Sequence, residues 1–120
     1  MTAGQYVKLF YMRDAAVIWL HGLGADRSDF EPIVPELDLP PSVKFVFPDA
    51  PVRAVTINGG MRMRAWYDIL QFGPGPEDEA GIRESQRAIE QLIEAQPVPP
   101  ERVVLAGFSQ GGAIVLHTGL

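Results

Sequence analysis

The 120-residue chain contains no cysteine, and this absence excludes three kinds of chemistry. Disulfide bonds, thiolate nucleophiles and cysteine-based metal sites cannot form. A chain without cysteine is compatible with a reducing compartment, and we expect a cytoplasmic protein. We also expect no metal and no cofactor. The chain lacks a phosphate-loop lysine, and the pair Gly22 and Gly24 lacks the third glycine of a dinucleotide-binding fingerprint.

Long apolar runs and an excess of positive charge are also missing. The first five residues do not form a basic segment ahead of an apolar core, so we predict no signal peptide. No apolar run approaches the length of a transmembrane segment. The formal net charge of -5 argues against a nucleic-acid or anionic-membrane partner. The 47% hydrophobic and 21% charged residues are typical of one globular core.

The most informative pattern lies within residues 101–115. The β-branched run at 103–105 predicts a strand buried on both faces. Residues 107–111 then match G-x-S-x-G, in which a strand reverses into a helix at a strained serine and the glycines prevent collisions. This predicts that Ser109 is a nucleophile, with the N–H of Gln110 placed to receive an oxyanion. The alternative is a plain turn with a capping serine.

The rest of the chain alternates between strand-like and helix-like segments. Residues 52–76 show little periodicity and predict a long ordered connection, whose apolar side chains either line something apolar or plug the core. This β-α-β succession predicts an α/β fold, with a mostly parallel sheet and helices on both faces. The predicted elements are an edge strand over 6–12, buried strands over 15–20 and 43–47, a short helix over 30–37, and a helix over 77–96 with Ile82, Ala88, Ile89, Leu92 and Ile93 on its apolar stripe.

Five blocks of sequence follow one another in a fixed order, at residues 19–24, 47–53, 56–60, 64–68 and 106–112. Together they resemble the small carboxylesterase, lysophospholipase and acyl-protein thioesterase family of α/β-hydrolases. The resemblance implies that residues 1–120 are the N-terminal part of a single α/β-hydrolase domain, incomplete at its C-terminus. It also implies a serine hydrolase without cofactor that cleaves short to medium acyl esters, thioesters or lysophospholipids through an acyl-serine intermediate.

The resemblance assigns roles to seven residues. Ser109 matches the family's nucleophile, and the backbone N–H groups of Leu23 and Gln110 match its two oxyanion donors. Ala54 stands where many relatives have proline, a departure without an evident catalytic meaning. The expected substrate-binding residues, near the family's acyl groove, are Gly22, Gly24, Met63 and Trp66.

The base and the acid that a catalytic serine requires are harder to place. In this fold they follow the serine along the chain, yet the eleven residues after Ser109 contain no Asp or Glu and only one histidine, His117. Eight helical positions separate Ser109 from His117, about 12 Å along a helix axis, whereas hydrogen-bond reach is roughly 3 Å. His117 is therefore predicted to be a packed helix residue. The resemblance implies that His21 has a structural role and supports the bend that carries Leu23.

The triad acid and base are accordingly expected outside these residues, in the remaining C-terminal half of the domain, on the same or a separate chain. The expected small-molecule partner is an acyl ester or thioester, and the oligomeric state stays open, a homodimer included. A second hypothesis is a catalytically inactive fragment that binds an acyl ligand or a partner without turnover. A third, a dienelactone-type hydrolase, is weaker because those enzymes favour cysteine at the elbow.

Overall fold

The computed structural model describes residues 14–120. The strand expected over residues 6–12 lies outside this range. Four 3-10 helices, at Arg27–Asp29, Glu31–Leu37, Thr56–Asn58 and Pro100–Arg102, connect the strands and α-helices. The strands and α-helices are β1 (Ala15–Leu20), β2 (Val43–Val46), β3 (Val52–Val55), β4 (Met61–Arg64), α1 (Glu79–Glu94), β5 (Val103–Gly107) and α2 (Gln110–Gly119).

The central sheet consists of three parallel strands in the order β2-β1-β5. Its middle strand, β1, coincides with the predicted strand over 15–20. β2 begins at Val43 as predicted and ends at Val46, one residue before the end of the predicted strand over 43–47. Along β1 the side chains alternate between two faces of the sheet. The more buried face packs against α1 and α2, in a core cluster that includes Ile18, Leu20, Ile82, Ile89 and Ile114. The predicted α/β architecture with a mostly parallel sheet is confirmed.

The opposite face of the sheet is covered by aromatic side chains and short helices. Trp19 stacks on Phe30 and Phe47, with ring centroids 5.0 and 6.2 Å apart. Phe30 joins the 3-10 helices Arg27–Asp29 and Glu31–Leu37, which replace the helix predicted over 30–37. The second of these contains Pro35, and a proline cannot donate the hydrogen bond that an α-helix requires there.

Strand β5 differs from the prediction of burial on both faces. Val104 is 54% exposed, and β5 is an edge strand within residues 14–120, where the only strand that pairs with it is β1. The apolar run predicted the strand correctly, but it could not indicate that this face of β5 is open.

Residues 52–76 contain regular structure that the sequence analysis did not predict. β3 and β4 form an antiparallel hairpin in which Val55 faces Met61. Gly59 and Gly60 close it with φ values of 67° and 80°, which glycine adopts readily. The prediction of a connection without periodicity was wrong here, because each strand has only four residues.

Helix α1 spans Glu79–Glu94, within the predicted 77–96. The carboxylate of Asp78 caps its start by accepting the N–H of Gly81 at 3.0 Å. Ile82 and Ile89 are buried as predicted, but Ala88 is exposed. Ala88 follows Ile82 by six residues, which places it roughly 120° around the helix from Ile82. Among the described residues, no helix is both long and apolar enough to cross a membrane.

Candidate active site

Ser109 occupies a strained corner between β5 and α2. Its φ of 55° and ψ of -117° are unusual for a residue with a side chain. β5 ends at Gly107 and α2 begins at Gln110, so the chain reverses within two residues. Ser109 is exposed, and its side chain makes no capping hydrogen bond to α2. The alternative of a plain turn with a capping serine therefore does not describe this corner.

Three glycines allow the corner to pack against the end of β1. A Cβ atom on Gly107 would lie 2.6 Å from the backbone of Gly111. A Cβ atom on Gly111 would lie 2.5 Å from the carbonyl oxygens of both Leu20 and His21. At Gly22 the nearest atoms would belong to Phe108 and Ser109, at 3.2 and 3.6 Å. Any larger side chain at 107 or 111 would push the serine away from β1.

The bend after β1 brings a second backbone segment to Ser109. Gly24 adopts a φ of 74°, and its N–H donates to the carbonyl of Arg64 at 2.8 Å. Within residues 14–120, the N–H groups of Leu23 and Gln110 have no hydrogen-bond acceptor. Gln110 is the first residue of α2, where free N–H groups and the helix dipole both favour negative charge.

The side chain of Gln110 is buried and bonded at both ends. Its Oε1 accepts the backbone N–H of Trp66 at 2.7 Å, and its Nε2 donates to the carbonyl of Tyr67 at 2.9 Å. The indole N–H of Trp66 donates to the carbonyl of His21 at 2.8 Å. Trp66 is only 2% exposed. This burial does not fit the substrate-contacting role predicted for Trp66. Its hydrogen bonds to Gln110 and His21 instead stabilise the segments next to Ser109.

The two histidines are not placed to act as the base. His21 is 1% exposed, its Nδ1 donates to the carbonyl of Gly22 at 2.7 Å, and its Nε2 accepts the N–H of Ala50 at 2.9 Å. Both ring nitrogens are therefore engaged, as expected for a structural histidine. His117 is exposed on α2, not packed as predicted. It borders an open apolar groove of about 380 Å³ with Leu116 and Leu120.

Two side chains flank the bend and the corner. Met63 on β4 is half-buried, and its Sδ lies 3.6 Å from where a Cβ of Gly24 would stand. Phe108 is 58% exposed beside Ser109, and its ring lies 5.8 Å from that of Phe30. The sequence analysis did not name Phe108, although its position just before the motif's serine was a usable signal.

Tyr67, whose carbonyl accepts from the Gln110 side chain, carries an ionisable phenol. Burial raises the pKa of Tyr67, with a smaller contribution from the negative charge of Glu77. Within residues 14–120, no cluster of three or more histidine or acidic side chains could hold a metal ion.

The comparisons with known proteins agree with this geometry. The phospholipase/carboxylesterase family profile matches residues 12–120. Acyl-protein thioesterase 1 of Mycosarcoma maydis is 43% identical over an alignment that covers 88% of this chain and 51% of that protein. Acyl-protein thioesterase 1 homolog 1 of Dictyostelium discoideum is 40% identical, with 87% of this chain and 49% of that protein covered. The chain thus spans about half the length of the curated relatives it matches.

Parts of several solved structures have a similar backbone. SOBER1 of Arabidopsis thaliana has a TM-score of 0.80 and 34% identity, covering 88% of this chain and 54% of that one. Acyl-protein thioesterase 2 of Zea mays has a TM-score of 0.80 and 31% identity, covering 88% of this chain and 46% of that one. From the profile match, these likenesses and the strained corner at Ser109, we conclude that the chain belongs to the phospholipase/carboxylesterase family of α/β-hydrolases.

Proposed function

We propose that the protein is a serine hydrolase that cleaves acyl esters or thioesters through an acyl-serine intermediate. The observation that carries this proposal is Ser109, an exposed serine with a positive φ of 55° at the corner between strand β5 and helix α2. A serine hydroxyl that only capped the helix would not need this strain.

The proposed reaction has two halves. The Oγ of Ser109 attacks the acyl carbonyl carbon and gives its proton to a base, while the carbonyl oxygen becomes an oxyanion. The N–H groups of Leu23 and Gln110 donate to that oxyanion, which then re-forms the carbonyl and expels the alcohol or thiol with the proton. Water, deprotonated by the same base, next releases the acid and restores the serine.

The proposed substrate class follows from the relatives and the surroundings of Ser109. The relatives carry the name acyl-protein thioesterase, so a thioester-linked acyl group is the first substrate to test, ahead of carboxylic esters and lysophospholipids. The acyl chain would lie along the bend at Gly22 and Gly24, beside Met63. Trp66 takes a supporting role in this proposal. We further propose a cytoplasmic location.

We propose that the triad acid and base come from outside these 120 residues. Both histidines in the chain are unsuitable, and β5 and the outer side of α2 expose apolar side chains that further structure would cover. Val104 on β5 is 54% exposed and Leu116 on α2 is 60% exposed. An intact mass of the natural protein equal to 13.2 kDa, with no second chain copurifying, would contradict this proposal.

Covalent labelling of the natural protein tests the nucleophile. A fluorophosphonate probe should label the protein, peptide mass analysis should place the adduct on Ser109, and Ser109→Ala should abolish labelling. Ser28→Ala is the matched control, because Ser28 is also exposed but hydrogen bonds to Asp26 in ordinary backbone geometry. Labelling that survives in Ser109→Ala would reject the proposed function.

The absence of a usable base among residues 14–120 favours one other candidate, an inactive acyl-binding protein. It predicts that acyl ligands bind to the natural protein without hydrolysis. Turnover of an acyl thioester that depends on Ser109 would exclude it.

A further inference from the structure

We propose that residues 64–67, here called the bridging segment, hold both oxyanion donors in one rigid unit, and that the Gln110 amide and Ser85 are positioning groups for it. The inference rests on the proposed function and adds to it. It concerns side chains that do not touch the reacting atoms, and it explains why a buried glutamine side chain follows the nucleophile.

The bridging segment is bonded to the bend that carries Leu23. Its Arg64 carbonyl accepts the N–H of Gly24 at 2.8 Å, which fixes the peptide unit immediately after Leu23. The indole of Trp66 donates to the carbonyl of His21 at 2.8 Å. His21 Nδ1 in turn donates to the carbonyl of Gly22. Because a trans peptide is planar, fixing that carbonyl also fixes the opposite direction of the Leu23 N–H.

The same segment is bonded to the residue that carries the second donor. The Gln110 side chain bonds to the N–H of Trp66 and to the carbonyl of Tyr67, at 2.7 and 2.9 Å. Because only 4% of Gln110 is exposed, water has little access to this amide, and the two bonds hold the start of α2 against the bridging segment.

The bridging segment is itself held from helix α1 and strand β3. The Ser85 hydroxyl donates to the carbonyl of Trp66, and Ser85 is only 3% exposed. The Arg53 Nε donates to the carbonyl of Ala65 at 2.9 Å. A shift of the segment would break these bonds inside the protein, where unpaired polar groups are costly. The N–H groups of Leu23 and Gln110 are therefore both positioned by the bridging segment.

Kinetics of the natural protein with an acyl thioester test this arrangement. Gln110→Met keeps the side-chain length but removes both bonds, and should lower kcat about 10- to 100-fold, because a misplaced oxyanion donor acts only in the transition state. KM should change by less than about threefold, since ground-state binding does not use the oxyanion contact. Ser85→Ala, a milder variant, should lower kcat about three- to tenfold by the same reasoning.

Ile89→Ala is the matched control, because Ile89 is fully buried on α1 but makes no hydrogen bond to the bridging segment. It should lower Tm while kcat stays within about twofold of the wild type. A kcat unchanged in Gln110→Met, or lowered equally by Ile89→Ala, would overturn the inference.

Amide hydrogen exchange supplies a readout that needs no turnover. The Gly24 N–H, bonded to the bridging segment, should exchange at least about tenfold faster in Gln110→Met than in Ile89→Ala. Unchanged Gly24 exchange would overturn the inference whatever the activity. A wild-type protein that is neither labelled at Ser109 nor active would instead reject the proposed function, and Gly24 exchange would still decide the inference.

Discussion

The two ends of helix α2 are held in very different ways. At the first turn, Gln110 is buried with its side chain bonded at both ends, and Gly111 has no room for a Cβ atom. At the last turn, Leu116 and Leu120 are exposed, and a Cβ atom on Gly119 would have no atom within 4 Å. One helix of ten residues thus has one end positioned by close contacts and one end that these residues leave open.

This difference shows where the geometry of the candidate site comes from. The contacts that place Ser109 arise from β1, the bridging segment and α1, all within the described residues. The open end contributes none of them. The strained corner is therefore set by contacts within residues 14–120, whereas the proposed triad acid and base are not among these residues.

Alanine substitution at two glycines of α2 gives the largest expected contrast. Gly111→Ala places a methyl group 2.5 Å from two backbone carbonyl oxygens of β1 and the following bend, and should destabilise the protein by about 3 kcal/mol or more. Among residues 14–120, Gly119→Ala meets no atom, so it should change stability by less than about 1 kcal/mol, with the helix preference of alanine set against any contact from the structure proposed to cover this end. Urea unfolding measures the change in unfolding free energy of each variant. Equal changes would contradict the difference between the two ends of α2.

Substitution of one buried and one exposed aromatic residue should give a smaller difference in stability. Trp66→Phe leaves the buried carbonyl of His21 without its indole donor, which should cost about 1–3 kcal/mol. Phe72 is 86% exposed, so Phe72→Ala should change stability by less than about 0.5 kcal/mol. Thermal unfolding provides the measurement. A Phe72 variant that loses as much as the Trp66 variant would mean that the 70–76 loop is covered in the natural protein.

The smallest expected effect concerns an exposed carboxylate on the connection after β4. The pKa of Asp68 is lowered because its carboxylate accepts hydrogen bonds from the hydroxyl and the N–H of Thr56, at 2.5 and 2.7 Å. A lowered folded-state pKa adds stability above the unfolded pKa, and this stability is lost as pH falls through the folded value. Because Asp68 is close to solvent, the contribution should be below about 1 kcal/mol.

Wild type and Asp68→Asn should therefore differ most near neutral pH and converge in acid. Unfolding free energies measured at about pH 6 and pH 2.5 check this expectation. A gap that widens on acidification would contradict the sign of the pKa shift.

Local patterns predicted much of the fold. The apolar run from Ala15 to Leu20 has the same limits as β1, and the glycine spacing around Ser109 identified the strained corner, because both features depend on neighbouring residues. The β3–β4 hairpin was missed even though Met61–Arg64 alternates apolar and basic residues. Four residues are too few to distinguish a strand by periodicity, and the pairing partner is not visible in the local pattern.

The sequence by itself determined the three parallel strands, helix α1, the strained serine and the family resemblance, since each rests on short patterns of neighbouring residues. The tertiary structure alone decided that Trp66 is buried, that His21 uses both ring nitrogens and that the Gln110 side chain supports the bridging segment. The bonds from Trp66 to Gln110 and His21 join residues 44 and 45 positions apart. Such contacts depend on how the sheet and helices assemble, which no local pattern specifies.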